Sequence, residues 1–236
     1  MKIQRCSDYE EMSRSCCDAI IAALKEEKEQ LLCTATGNSP KGVYQNLAST
    51  YQNEPELFEK LKIIKLDEWG GIPASNQNSC ETFLQEKIIG PLKISDYRYI
   101  SFESDPTSPE MECERIQKEL VGNGPIDICI LGLGKNGHIA FNEPANELSP
   151  FCHVARLSQQ SLQHQMVTSM KNGPAYGLTL GMADILQSKK IILLLTGAGK
   201  KSVIEELMTK KITSYLPASF LWLHPDVTCY IDTSAI

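Results

Sequence analysis

The segment Ile126-Asp127-Ile128-Cys129-Ile130-Leu131-Gly132-Leu133-Gly134-Lys135-Asn136-Gly137-His138 decides the fold. Residues 126–131 are mostly apolar and rich in isoleucine, and Pro125 and Gly132 bound them. A run that short, β-branched and bounded reads as a fully buried strand. The glycines beyond it allow a sharp turn and close approach of backbone to a ligand. His138 and Glu143 follow within six residues, and an imidazole with a carboxylate partner is a proton shuttle near neutral pH. A buried strand that delivers such a turn at its carboxyl end is where open α/β sheets bind ligands.

Working outward, helix-like and strand-like segments alternate. Residues 9–28 place Met12, Cys16, Ile20, Ile21 and Leu24 near helical spacing, with Ser7 or Asp8 as the cap. Residues 30–34 read as a buried strand, and residues 41–51 as a helix with Pro40 in its first turn. Residues 61–66 read as a strand that ends in the turn Asp67-Glu68-Trp69-Gly70-Gly71. Helices are expected over 79–89 and 109–120, a helix-like stretch over 157–170, and a further helix over 181–186. Strand 190–196, helix 201–208 and strand 228–231 complete the chain. Strands separated by helix-length segments predict an α/β fold, a Rossmann-like, mostly parallel open sheet with helices on both faces. With no repeat, linker or break in composition, residues 1–236 read as one domain.

Composition excludes several classes. A chain of 236 residues buries roughly 70–75% of its unfolded surface and needs no disulfide or metal staple. The formal charge of -6, with no dense Lys/Arg block, argues against nucleic-acid binding. No apolar run is long enough to span a bilayer, and the N-terminus does not resemble a secretory signal. Nine cysteines occur at irregular spacing without a CxxC pair, and Cys33, Cys129 and Cys229 sit in strand-like runs as small hydrophobes. They read as reduced thiols of a cytoplasmic protein, and neither they nor the four histidines have zinc spacing. His153, His164 and His224 read as surface or half-buried residues; Trp69 and Trp222 read equally as core or pocket wall.

Nucleotide motifs fail on context. Residues 132–137 fit GxGxxG, but Asn142-Glu143-Pro144 and Pro150 interrupt the helix that a dinucleotide fold requires. Residues 197–202 lack the spacing of a Walker loop. Thr36-Gly37-Asn38-Ser39 lies between a strand and a helix, where backbone N–H groups, two hydroxyls and the helix dipole can cradle a phosphate; a plain βα turn is the alternative reading. Lys200 follows another strand and can neutralise the same phosphate. Thr36, Asp67, His138 and Lys200 each follow an expected parallel strand, so all four converge on one sheet edge.

With those residues assembled, the chain resembles the glucosamine-6-phosphate deaminases. The likeness is carried by residues 134–144, Leu66-Asp67-Glu68-Trp69, residues 36–40 and residues 197–200. Residues 80–85, 131–136 and 217–224 resemble the galactosamine-6-phosphate isomerase/deaminase branch of that superfamily. The resemblance implies isomerisation of an open-chain amino-sugar phosphate with loss of ammonia, without metal or organic cofactor. It makes Asp67 the base that moves a proton from C2 to C1, and His138, oriented by Glu143, the acid/base of ring opening. Thr36, Gly37, Asn38, Ser39 and Lys200 hold the phosphate, with Gly134 and Gly137 giving close backbone approach. The implied partner is a small-molecule amino-sugar phosphate, not a nucleic acid or a membrane, and monomer and homo-oligomer both stay open.

Three departures accompany the resemblance. Asn136 replaces an aspartate two residues before the histidine, and an amide cannot ionise. No phosphate-binding arginine occurs within 160–166, where His164 stands in. The basic residues of an allosteric pocket do not align with 151–156, so activation by an N-acetylated sugar phosphate is not expected. Glucosamine-6-phosphate as substrate, 6-phosphogluconolactone hydrolysis on the same scaffold, and a non-catalytic sugar-phosphate sensor are the alternatives.

Overall fold

The computed structural model describes residues 1–235. Its first half runs β1 (Lys2–Cys6), α1 (Tyr9–Glu26), β2 (Leu31–Thr34), α2 (Asn38–Asn53), β3 (Lys62–Lys65), β4 (Asp67–Gly70), α3 (Cys80–Leu84), β5 (Tyr99–Ile100) and α4 (Pro109–Asn123). The second half runs β6 (Ile128–Gly132), β7 (His153–Ala155), α5 (Gln159–Leu162), α6 (Gln165–Thr168), β8 (Tyr176–Thr179), α7 (Met182–Leu186), β9 (Lys190–Leu195), α8 (Lys201–Met208) and β10 (Val227–Asp232).

Seven strands form a parallel sheet in the order β1-β10-β9-β6-β2-β3-β5. Strand side chains alternate between faces, and both faces are covered. Leu32, Ile63, Ile130, Ile192 and Leu194 enter a core with Met12, Cys16 and Ile20 of α1 and Val43 and Leu47 of α2. Leu31, Cys33, Ile64, Cys129, Leu131 and Leu193 enter the opposite core, with Ile116 of α4 and Leu207 of α8. The chain travels outward from β2 to β3 and β5, then restarts at β6 on the other side of β2. That reversal opens a crevice at the carboxyl ends of β2 and β6.

The segment expected as a turn at Asp67 is instead strand β4. It pairs antiparallel with β8, which pairs with β7, in a second sheet of three strands. Leu66 is the hinge: its N–H donates to Thr34 O of the main sheet, and its carbonyl accepts from Leu180 N of the second. Asp67 therefore leaves the main sheet on a rigid strand. The helix-like stretch 157–170 is two short turns, because Ser158 caps one at Ser161 N and the His164 ring caps the next at Met166 N. Helix α2 starts earlier than Pro40 suggests, at Asn38. His224 is buried, its ring bonded to Ser188 O and Asp226 N. Among the described residues, no helix is long and apolar enough to cross a membrane.

Candidate active site

The loops after β9, β6 and β2 and the corner after β3 are neighbours in sheet order, so Lys200, His138, Thr36 and Asp67 face one cleft of about 950 Å³. Gly37, Asn38, Ser39, Gly134 and His164 line it as well. Asn136, Gly137 and Glu143 stand behind His138 rather than on the wall. Gly137 adopts φ +87°, and a Cβ there would lie 2.3 Å from Leu216 Cδ1, so only glycine fits the turn.

Asp67 is buried at the cleft floor. Burial, reinforced by the neighbouring Glu68 carboxylate, pushes its carboxyl up to about 7; Lys65 and the Cys80 thiol oppose the rise. The Cys80 Sγ lies 3.9 Å from Asp67 Oδ1 and 3.4 Å from Thr36 Oγ1, linking the carboxylate to the loop after β2. A carboxyl that gains and loses its proton near neutrality is a base matched to its working pH.

His138 is held by the turn that carries it. Its carbonyl accepts from Gly134 N at 3.0 Å, and its Nδ1 lies 3.3 Å from Glu143 Oε2. Glu143 also accepts from Asn136 Nδ2 at 2.8 Å, from Ser158 Oγ at 3.0 Å and from the Ser161 hydroxyl. Burial alone would raise the Glu143 carboxyl, but His138, Ser161 and Asn136 outweigh it and hold it at about 2. Glu143 is thus a fixed anion that orients the ring. Asn136 has a definite part here, because its amide donates to Glu143 while its Oδ1 accepts from His138 N at 3.2 Å. An ionised aspartate in that place would repel Glu143 instead.

The opposite end of the cleft is cationic. Gly37 is the N-cap of helix α2, its φ of +94° turns the chain, and no side chain caps the helix's first N–H groups. No acidic residue occupies its first turn, so the positive end of the dipole is free for an anion. The Tyr9 hydroxyl braces this end, accepting from Gly42 N and donating to Asn38 O, both at 2.7 Å. His164 Nδ1 accepts from Met166 N at 3.3 Å, which leaves the ring proton on Nε2. A Cβ on Gly37 would lie 3.8 Å from that Nε2, so the donor stands over the loop. Burial and the nearby Lys135 lower the Lys200 ammonium to about 8, and partial desolvation with His138 and Lys200 lowers His164. Lysines and an imidazole donor gathered around an uncapped helix end are suited to a dianion.

Residues 7–229 match the model of the family described as glucosamine-6-phosphate isomerases/6-phosphogluconolactonase. The chain belongs to this family. AgaI of Escherichia coli strain K12, which carries a deaminase name, is 36% identical over 231 residues, covering 98% of this chain and 92% of that protein. Glucosamine-6-phosphate deaminase 1 of Bacillus subtilis strain 168 is 33% identical, covering 100% of this chain and 98% of its own. A solved monomeric glucosamine-6-phosphate deaminase superposes with a TM-score of 0.93 at 32% identity, covering 99% of this chain and 98% of that one. The 6-phosphogluconolactonase of Trypanosoma brucei shares the fold, with a TM-score of 0.74 at 20% identity.

Of the site residues expected from the sequence, Thr36, Gly37, Asn38, Ser39, Asp67, Gly134, His138, His164 and Lys200 line the cleft, Asn136 and Glu143 reach it through hydrogen bonds around His138, and Gly137 packs against Leu216 instead of lining the cleft. The part of Tyr9 had no readable signal, because it reaches the site from the remote helix α1, while Lys135 and Cys80 fall in segments that the sequence marked without giving either side chain a role. Ser158 and Ser161 show only the SxxS spacing of a cap.

Proposed function

We propose that this protein is an amino-sugar-6-phosphate deaminase that converts galactosamine-6-phosphate to tagatose-6-phosphate and ammonia. The observation that carries the reading is the buried Asp67 carboxyl, poised near 7 at one end of a cleft whose other end is cationic. The phosphate sits on residues 36–39 and the start of α2, with Lys200 and His164 as its charged and polar donors. His138 takes the proton of the O1 hydroxyl and returns one to the ring oxygen, opening the pyranose. Asp67 then removes the C2 proton while the substrate's C2 ammonium gives one to O1, leaving a neutral enolamine. Returning that proton to C1 gives an iminium at C2, where water adds and ammonium leaves. Glu143 keeps the imidazole oriented throughout, and Asn136 holds Glu143.

Lactone hydrolysis requires no carbon acid and so no carboxylate tuned to neutrality, which favours the deaminase reading over the lactonase one. The galacto preference is supported by residues 80–85, 131–136 and 217–224, which resemble the galactosamine branch. One of these segments supplies Cys80, which touches Asp67. The test is kcat/KM for ammonia release from galactosamine-6-phosphate and glucosamine-6-phosphate, alongside hydrolysis of 6-phosphogluconolactone. The galacto epimer is expected to be the better substrate; a preference for the gluco epimer would reassign the substrate, and turnover of the lactone alone would refute the deaminase.

Gly134 provides a second check. A Cβ on it would fall 2.4 Å from the His138 ring, so Gly134→Ala must displace the imidazole. The expected result is a fall in kcat of about 100-fold with the circular dichroism spectrum retained. An unchanged kcat would mean that ring opening does not depend on His138 in this position.

A further inference from the structure

Asp67 stands beside a charged cluster that the chemistry above leaves unused. Successive strand residues point to opposite faces, so Glu68 turns away from the cleft. Its fully buried carboxylate accepts from Trp69 N at 2.8 Å, Cys80 N at 2.9 Å, Glu81 N at 2.8 Å and Lys65 Nζ at 2.8 Å. Lys65 is fully buried too, and its other donors go to Glu81 Oε2 at 2.7 Å and Phe102 O at 2.9 Å. All three protons of the ammonium are thus used. Tyr99 donates to Glu81 Oε2 at 3.0 Å. Burial disfavours the Lys65 charge, but the two carboxylates more than compensate and raise its pKa above the ordinary value.

Well-packed apolar residues often stabilise such a corner as well as a buried ion cluster does. What an apolar corner cannot do is set the field at Asp67. We propose that Lys65 is a positioning residue for the proton transfer, its ammonium fixing the Glu68 carboxylate beside Asp67 and offsetting that carboxylate's charge. This rests on the reading of Asp67 as the base. Around Asp67 stand Lys65 and Glu68 on its own corner, Cys80 on α3, Cys33 on β2, Tyr44 on α2 and His138 across the cleft. Burial pushes Cys80, Cys33 and Tyr44 well above their ordinary values, so they stay neutral in the working range. Lys65 and Glu68 form the buried ion pair on the base's own corner, and Glu81 acts through Lys65.

The test is the acidic limb of kcat/KM against pH for three variants. Lys65→Met leaves Glu68 uncompensated, and the limb should move to higher pH by about one unit. Glu81→Gln leaves the ammonium with one carboxylate instead of two, and the limb should move to lower pH. The double variant Lys65→Met/Glu68→Gln removes both charges and should bring the limb back toward wild type. The substrate's own ionisations are common to all variants, so differences between limbs belong to the enzyme. A merely structural cluster lowers activity equally at every pH, and limbs fixed at the wild-type position would overturn the proposal. If Lys65→Met does not fold, Glu81→Gln decides, since the Glu81 side chain is already 29% exposed. Asp67→Asn measured alongside separates the two claims. Activity in that variant refutes the base, whereas an inactive Asp67→Asn with unmoved limbs refutes only the part assigned to Lys65.

Discussion

Asp67→Asn is expected to lower kcat by about 1000-fold with KM little changed, because the amide cannot accept the C2 proton while the phosphate contacts stay in place. Stability should move the other way. A carboxyl raised from 3.8 to about 7 by burial marks a charge that the folded state disfavours. That cost is absent below the unfolded value, grows from there up to about pH 7, and is complete above it. Removing the carboxylate relieves up to about 4 kcal/mol at alkaline pH and nothing near pH 4. The melting temperature of Asp67→Asn above pH 7 should therefore equal or exceed that of wild type, with the difference vanishing in acid. A less stable and inactive variant would point to a structural carboxylate. A more stable and inactive one marks a group retained for chemistry at a cost to the fold.

Lys200→Met should act on binding instead. A charge-assisted contact to a phosphate contributes about 1.5–3 kcal/mol, so KM for the sugar phosphate should rise about 10- to 100-fold, with kcat changed far less. The pH dependence is specific. In the free enzyme the Lys200 ammonium is held at about 8, first by burial and then by Lys135. Above that pH it loses its proton and its hold on the dianion, so kcat/KM should decline through about 8. In the complex the dianion restores the proton, so kcat should hold to higher pH. With the Asp67 limb at about 7, wild-type kcat/KM follows a narrow bell. In Lys200→Met the alkaline limb should disappear; a limb that persists near 8 would assign it to another group.

Much of the architecture was legible because burial on two faces leaves a plain trace. Ile128, Cys129, Ile130 and Leu131 alternate between two cores, so the strand shows as a continuous apolar run. The edge strand β1 was not legible, since four of its five residues are exposed and its sequence is polar. The second sheet was hidden for another reason. Its strands have three or four residues, and Asp67 meets Thr179 across more than a hundred positions. Gly70 shows the tertiary demand, as a Cβ there would overlap the Tyr176 ring at 2.0 Å. Antiparallel pairing of that range has no local period to read.

The candidate site divides similarly. Thr36, Asp67, His138 and Lys200 could be placed together because carboxyl ends of parallel strands share one edge. Their support could not. Lys65 occurs in the short strand Lys-Ile-Ile-Lys, where nothing local marks it, yet it is fully buried because Glu68 and Glu81 meet it from a strand and a helix. Asn136 in isolation is only an amide that cannot ionise. Against Glu143 it is a donor to a carboxylate that four polar side chains hold ionised.

The most direct measurement is the stoichiometry of products from galactosamine-6-phosphate incubated with purified protein, reading ammonium and ketose phosphate separately. The expected result is equal release of both by wild type and neither by Asp67→Asn. Ketose phosphate without ammonium, no product at micromolar enzyme, or full release by Asp67→Asn would contradict a deaminase that works through this carboxylate.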